Sequence, residues 1–315
     1  MSKIALVGLG LVGRAWAVSF ARAGHEVAIW DERPEAVDEA LRFVNKTLPD
    51  LDAYGLLDGG APLVVRSRMR RAGSLEEALE GAAHVQENTP EDPEIKRRVF
   101  AALDGVAEPD AVLASSTSAI LPSLFTEGLA GRARCLVAHP INPPYLIPAV
   151  EIIPAPWTDM GAVERTAALL KEAGHSPIVM KQEIDGFVVN RLQGALLEEA
   201  FRLVERGFAT IEDVDVALRD GLALRWSFMG PFETIDLNAP GGVRDYAKRY
   251  QHIYARVFPT TQWRADWSGA VMDGIEAERR KQLPAESLTE RAAWRDRRLM
   301  ALAAHKLQAD RDIGK

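Results

Sequence analysis

The chain has a single cysteine, Cys135, in 315 residues. An internal disulfide is excluded, and a reducing, cytoplasmic setting is the expectation. Cys135 lies in an apolar run, which reads as a buried, inert thiol rather than a nucleophile. Long hydrophobic stretches are lacking as well: Arg14 and Arg22 interrupt the apolar N-terminal segment, which argues against a leader or a membrane span. Positive charge is in deficit, with 38 Lys and Arg against 45 Asp and Glu and a net charge of -7. That balance argues against a nucleic-acid or anionic-membrane partner, yet a small anion needs only a local cation. The six histidines and one cysteine show no zinc-ligand spacing, so no metal is expected. No Gly-x-Ser-x-Gly elbow surrounds Ser118, which weakens a hydrolase built on Ser118 and His139.

What is present begins at the N-terminus. The apolar run Lys3–Val7 leads into Gly8-x-Gly10-x-x-Gly13 and then a helix-like pattern. Gly8 permits a tight turn, Gly10 lets a pyrophosphate approach the backbone, and Gly13 lets the helix pack closely on the strand. The intervening Leu11 and Val12 would open that helix, whose unpaired N–H groups and dipole favour phosphate. A second strand, His25–Asp31, ends in an acid about 20 residues past the glycines, where a carboxylate accepts from an adenosine ribose hydroxyl. Asp31 could instead cap the helix starting at Pro34. A carboxylate at 31, with Glu32 beside it, repels a 2′-phosphate and favours NAD over NADP; Arg33 is the dissenting residue.

Further strands are expected at His84–Asn88, Val112–Ser115, Cys135–His139, Ala149–Ile153 and Pro177–Met180. Helices are expected between them, including Pro34–Leu48, Ser74–Ala83 with a Ser74/Glu77 capping box, and Thr158–Ala173. The stretch 49–72 reads as irregular, and its Arg66, Arg68, Arg70 and Arg71 as the solvated face of an edge strand or a phosphate contact. Beyond Asp185-Gly186 the pattern is almost wholly helical, with a helix over Phe187–Glu205 and a capping box at Thr210–Asp213. The fold class is therefore α/β: a Rossmann-type, doubly wound, mostly parallel sheet over 1–184, followed by an all-helical substrate and dimerisation domain over 185–315. The cleft between the two domains is the expected place for substrate.

Ligands gather beyond the carboxyl ends of strands in such sheets, and Gly8, Asp31, Ser115–Ser118 and His139 all fall there. His139 precedes a proline-rich turn, and Glu151 follows twelve residues later on the next strand. A strand, a turn and a returning strand can bring the two together, giving a general base for a hydroxyl proton; a strand-end histidine beside a structural ion pair fits the same spacing.

The set Gly8-x-Gly10-x-x-Gly13, Glu91 with Lys96, Ser115-Ser116-Thr117-Ser118, His139-x-x-Asn142-Pro143, Glu151 and Gly186-Phe187-Val188-Val189-Asn190-Arg191 resembles the 3-hydroxyacyl-CoA dehydrogenase family over nearly the whole chain. Within it, His139–Tyr145, Gly221–Arg225 and Gly230–Thr234 look most like the lambda-crystallin, L-gulonate 3-dehydrogenase branch. The resemblance implies NAD as cofactor and a homodimer formed by the helical domain. His139 would be the catalytic base and Glu151 its partner, Ser118 and Asn190 would hold the reacting oxygen, and Glu91 and Lys96 would contact the nicotinamide end. From the residues alone, Glu91 and Lys96 equally suit a first turn and the solvent face of a helix, Ser118 a helix cap, and Asn190 a helix interior. Arg225 is a candidate for a substrate carboxylate. Pro140 and Ile141 stand where acyl-CoA members usually carry two aromatic residues, which points to a small hydroxy acid, L-gulonate first. An L-carnitine or 3-hydroxyacyl-CoA substrate, or a non-catalytic NAD-binding crystallin-like protein, are the alternatives.

Overall fold

A computed structural model describes residues 2–57, 60–261 and 269–314. The chain divides into two compact units, 1–189 together with 289–315, and 190–288.

The first unit is built on an eight-stranded sheet. Its strands are β1 (Lys3–Val7), β2 (Glu26–Trp30), β3 (Met69–Arg71), β4 (His84–Glu87), β5 (Val112–Ser115), β6 (Cys135–Pro140), β7 (Ala149–Pro154) and β8 (Ser176–Val179). The order across the sheet is β3-β2-β1-β4-β5-β6-β7-β8. Neighbours run parallel except β6 and β7, which are antiparallel, as a short proline-rich turn between them requires. The expected mostly parallel, doubly wound sheet is therefore present. The chain moves outward from β1 to β2 and β3 on one side, then returns to β4 on the other, which opens a crevice past the ends of β1 and β4.

Helices cover both faces: α1 (Leu11–Arg22), α2 (Pro34–Ala53), α3 (Pro62–Ser67), α4 (Leu75–Leu79), α5 (Pro93–Val106), α6 (Ser123–Thr126) and α7 (Met160–Glu172). Alternation along the strands sorts the core. Ile4 and Leu6 face one layer with Trp16, Phe20, Ile29, Val44, Leu136 and Ile152. Ala5 and Val7 face the other with Val85, Phe100, Leu113, Val137 and Phe187. Cys135 is fully buried and burial pushes its thiol up to about 12, in keeping with an inert side chain.

Several local expectations are corrected. Helix α2 does not stop at Leu48 but carries Pro49 and continues to Ala53, because Leu48 and Leu51 are both buried and their packing outweighs the one lost N–H. The supposedly irregular 49–72 stretch also holds α3 and the edge strand β3. The edge strand itself is the one the arginines suggested, with Arg70 and Arg71 exposed on it, and all four reach acceptors within the protein. Arg66 donates to the Met69 carbonyl and Arg68 to the Ala21 carbonyl, while Arg70 pairs with Glu77 and Arg71 with Asp38. Ser74 accepts from the Glu77 N–H, but the Glu77 carboxylate reaches Gly73 rather than closing a box on Ser74.

The second unit begins within α8 (Val189–Glu205) and contains α9 (Ile211–Val216), α10 (Ala223–Trp226), α11 (Pro231–Leu237), α12 (Gly242–Thr261) and α13 (Gly269–Gln282). The capping box at Thr210 and Asp213 opens α9 as its sequence suggests. The last helix, α14 (Leu288–Asp312), groups with the first unit from Thr289 onward, whereas the whole of 185–315 reads from sequence as one helical domain. Met300 on α14 is 2% exposed in the first unit's core, and Tyr145 donates to Asp296 at 3.3 Å. Among the described residues no helix is long and apolar enough to cross a membrane.

Candidate functional site

The glycine loop lies at the crevice. Gly8 has φ +86, and a Cβ there would stand 2.8 Å from the Asn88 backbone, so the turn after β1 has room only for glycine. A Cβ on Gly13 would come within 2.0 Å of the Gly8 carbonyl oxygen. Gly10 differs: nothing lies within 4 Å of a Cβ built on it. That open space sits at the N-cap of α1, which has no side-chain cap, so the first N–H groups at Leu11 and Val12 are left for an anion. Asp31, one residue past β2, accepts from the Leu9 N–H at 2.7 Å and from the Arg33 N–H at 2.9 Å. Each oxygen keeps a second lone pair, so the carboxylate can still receive ribose hydroxyls. These residues fit a dinucleotide.

Across the crevice, the β4–α5 turn and the end of β5 are joined by a run of hydroxyls. Ser115 donates to Glu87 at 2.6 Å, Ser116 to Asn88 at 2.7 Å and Thr117 to Glu91 at 2.6 Å. Glu91 also receives the backbone N–H groups of Ser118 at 2.9 Å and Ala119 at 3.1 Å. Glu91 and Ser118 are thus brought together, with Ser118 exposed at the tip. Lys96 occupies neither a solvent face nor an open cleft. It is 1% exposed, and its ammonium donates to both oxygens of Glu87 at 2.8 and 2.9 Å and to the Thr89 carbonyl at 3.0 Å. All three of its protons are used there, which makes it a brace for the turn.

His139 and Glu151 face each other in the β6–β7 register. His139 Nδ1 and Glu151 Oε2 are 2.8 Å apart, at 5% and 0% exposure. Glu151 Oε1 accepts two more bonds, from the N–H groups of Val188 at 2.6 Å and Val189 at 2.9 Å. A left-handed pair makes that geometry: Gly186 at φ +76 and Phe187 at φ +49 aim the first N–H groups of α8 at the carboxylate. Positive φ is uncommon outside glycine, and full burial of the Phe187 ring, 5.6 Å from the His139 ring, holds it in place. Burial by itself raises the Glu151 carboxyl; the bonds from His139, Val189 and Val188 outweigh it and hold the group below the ordinary carboxylate range. A carboxylate so fixed keeps the proton on Nδ1 and leaves Nε2 as the nitrogen that can take or give one.

Asn190, the second residue of α8, and Arg225, on α10, both belong to the second unit. Arg225 follows a π-helical turn over Ala217–Leu222. The residues that sequence reading missed are the supports Glu87, Asn88, Gln86 and Trp16, and it named Gly186-Phe187 without foreseeing that their turn holds Glu151. Glu87 left one signal, an acid closing an otherwise buried strand.

Models of the 3-hydroxyacyl-CoA dehydrogenase family match both parts of the chain, the NAD-binding domain over residues 3–184 and the C-terminal domain over residues 186–280. A lambda-crystallin homolog from Bos taurus is 45% identical over 97% of this chain and 96% of its own. An L-carnitine dehydrogenase from Streptomyces griseus is 35% identical over 94% of this chain and 87% of its own. Among solved structures, an NAD+-dependent 5-formyl-3-hydroxy-2-methylpyridine 4-carboxylic acid 5-dehydrogenase superposes with a TM-score of 0.82 at 28% identity, covering 97% of both chains.

Proposed function

The chain belongs to the 3-hydroxyacyl-CoA dehydrogenase family of NAD-dependent oxidoreductases, and from that premise we propose that it oxidises the 3-hydroxyl of a small hydroxy acid, L-gulonate to 3-dehydro-L-gulonate. The observation that carries the proposal is the buried His139–Glu151 bond, with the second carboxylate oxygen held by two backbone N–H groups. NAD, when bound, supplies the hydride acceptor. Gly8, Gly10 and Gly13, with the N–H groups at Leu11 and Val12, would hold its phosphates and Asp31 its ribose.

The protein's own part is the proton. His139 Nε2 takes the hydroxyl proton as the C3–H bond gives up its electron pair with the hydrogen, and the C–O bond becomes a carbonyl. The imidazolium that results sits against Glu151, whose charge is fixed by Val188 and Val189 and needs no reorganisation. In the reverse direction the same imidazolium is the acid. Ser118 and Asn190 are neutral donors suited to the reacting oxygen, since they support developing negative charge without quenching the base. Glu91, which holds the Ser118 backbone, and Lys96, which braces Glu87, serve the nicotinamide side of this arrangement.

For substrate, Arg225 supplies a guanidinium matched to the carboxylate of a sugar acid. Arg66 and Arg68 are taken up by the carbonyls of Met69 and Ala21, which supports a small acid over a coenzyme A thioester, whose nucleotide tail would call on such cations. L-Carnitine is the second reading, favoured by the dehydrogenase that is 35% identical. A homodimer through 190–288 is supported by that unit's own surface. Only Thr234 and Ala239 are buried among its described residues, while Phe208, Phe228 and Phe232 are 74%, 69% and 79% exposed. A reducing compartment fits the one buried thiol.

His139→Ala tests the chemistry. NADH formation is expected to fall at least about a thousandfold while NADH binding persists, since His139 is not among the residues that would hold the cofactor. Turnover within about tenfold of wild type would remove His139 from the role of base.

A further inference from the structure

Ser116 is a buried hydroxyl with every hydrogen-bonding position filled, by partners on α1, on β4 and just past the end of β4. It accepts from the Trp16 indole N–H on α1 at 3.0 Å and from the Gln86 amide on β4 at 2.7 Å, and it donates to Asn88 Oδ1 at 2.7 Å. One donor and two lone pairs are all a hydroxyl has. Each partner leads to one part of the site. Trp16 lies on the helix that the glycine loop opens, its ring stacked on Phe20 with centroids 4.9 Å apart. Asn88 forms the floor of the glycine loop: its backbone is what a Cβ on Gly8 would strike, and its amide nitrogen is what a Cβ on Gly13 would approach to 3.3 Å. Gln86 donates also to the carbonyl of Ala138, the residue before His139, at 3.1 Å.

We propose that Ser116 is a positioning residue that ties the cofactor loop to the strand carrying His139, so that NAD affinity and turnover are set by one buried hydroxyl. Without the hydroxyl, the Trp16 and Gln86 N–H groups would face each other with no acceptor between them, and Asn88 Oδ1 would lose its Ser116 donor, leaving the amide held only through its nitrogen on the Gln86 and Val7 carbonyls. A buried donor left without a partner is costly enough that α1 or β4 must shift to relieve it. Either shift moves a wall of the crevice: α1 carries the phosphate-facing N–H groups, and β4 leads into Asn88. The proposal rests on NAD binding, not on the identity of the hydroxy acid.

The test uses Ser116→Ala, Trp16→Phe, the double variant, and Ser116→Thr, which keeps the hydroxyl. For each, the dissociation constant for NADH is read by fluorescence titration well below the measured Tm, and kcat with the best substrate is read alongside. Ser116→Ala is expected to raise the NADH Kd about tenfold and to lower kcat by a similar factor, the scale of one lost buried hydrogen bond. Trp16→Phe, which keeps the stacked ring and loses only the N–H, is expected to raise Kd by about threefold. The double variant should bind no worse than Ser116→Ala alone, because both changes remove the same link. Ser116→Thr should recover binding to within about threefold. Should Ser116→Ala fail to fold, Trp16→Phe carries the test. A lowered Tm with NADH Kd and kcat within about twofold of wild type would overturn the proposal, leaving Ser116 a purely structural hydroxyl, as would fully additive effects in the double variant. Because NADH binding is measured without a second substrate, an error in the hydroxy-acid assignment would leave these outcomes readable.

Discussion

Replacing Glu151 by Gln keeps the shape of the side chain and removes its charge, which isolates what the carboxylate does. In the wild-type chain one oxygen takes the His139 Nδ1 proton at 2.8 Å and the other takes the Val188 and Val189 N–H groups. An amide cannot serve both sides. If its oxygen stays with the two backbone donors, its NH2 faces Nδ1, the ring must present Nδ1 as an acceptor, and the proton moves to Nε2. Nε2 is then no longer a base. If the amide turns over, its NH2 meets the two backbone N–H groups, and the start of α8 loses its acceptor. The first arrangement leaves fewer buried donors unpaired and should prevail. Trapping histidine in the wrong tautomer has cost about 10⁴ in kcat in a catalytic triad, so a loss of about 10³ to 10⁴ in kcat, or about 4 to 5.5 kcal/mol in the barrier, is expected here. NADH binding should remain, since Glu151 touches only His139 and the α8 backbone. Stability carries a second signature. The Glu151 carboxyl is held below its ordinary range in the fold, so its contribution is complete above that range and is lost as pH falls through the folded value. The Tm deficit of Glu151→Gln should therefore be largest near neutral pH and shrink in acid. Steady-state kinetics with melting curves at several pH values check both, and a kcat within about threefold of wild type would refute the tautomer argument.

Other outcomes follow from separate parts of the chain. Gly10→Val should leave Tm nearly unchanged, because the space at its Cβ is open, yet weaken NAD binding at least about a hundredfold; Gly13→Ala should destabilise the fold, because its Cβ would stand 2.0 Å from the Gly8 oxygen. His84, whose burial lowers its pKa to about 4, stays neutral in the fold while an unfolded histidine protonates near its usual 6.5. Stability should therefore fall between those two pH values by on the order of 3 kcal/mol from this group, and His84→Gln should flatten that part of the melting profile. Arg225→Ala is expected to raise KM for a sugar acid at least about tenfold with less change in kcat, as removal of a carboxylate contact should, and an unchanged KM would reject that contact. Light scattering after size exclusion should give twice the monomer mass; a monomer at working concentration would leave the exposed phenylalanines of 190–288 without their proposed cover.

The readable parts of the sequence were those whose cause is local. Gly8 and Gly13 announce themselves because a side chain at either position has no room, and Asp31 because it follows β2 and accepts the Leu9 N–H beside the glycine loop. The His139–Glu151 pairing was legible for a similar reason: two apolar strands joined by a proline-rich turn have few ways to align, and the register places the two residues opposite each other. What stayed hidden depends on contacts between segments far apart in sequence. The backbone donors on Glu151 come 37 and 38 residues later, and only because Phe187 adopts a left-handed conformation that nothing in its identity foretells. Lys96 looks like any helical lysine until Glu87, on a neighbouring strand, draws it inside. The return of α14 to the first core rests on Met300 and Ala303, while the helix's Trp294, Leu302 and Leu307 stay exposed, so its apolar pattern does not separate it from its helical neighbours. Arginines 66 to 71 drew attention as a cluster, yet each is held by a partner on a different element.

The most direct measurement is the initial rate of NADH formation from NAD with L-gulonate, L-carnitine and 3-hydroxybutyryl-CoA in parallel. The kcat/KM for L-gulonate is expected to be at least about tenfold above that of the other two, the scale of one well-placed carboxylate contact. Preference for the thioester, or no turnover of any of the three, would contradict this expectation.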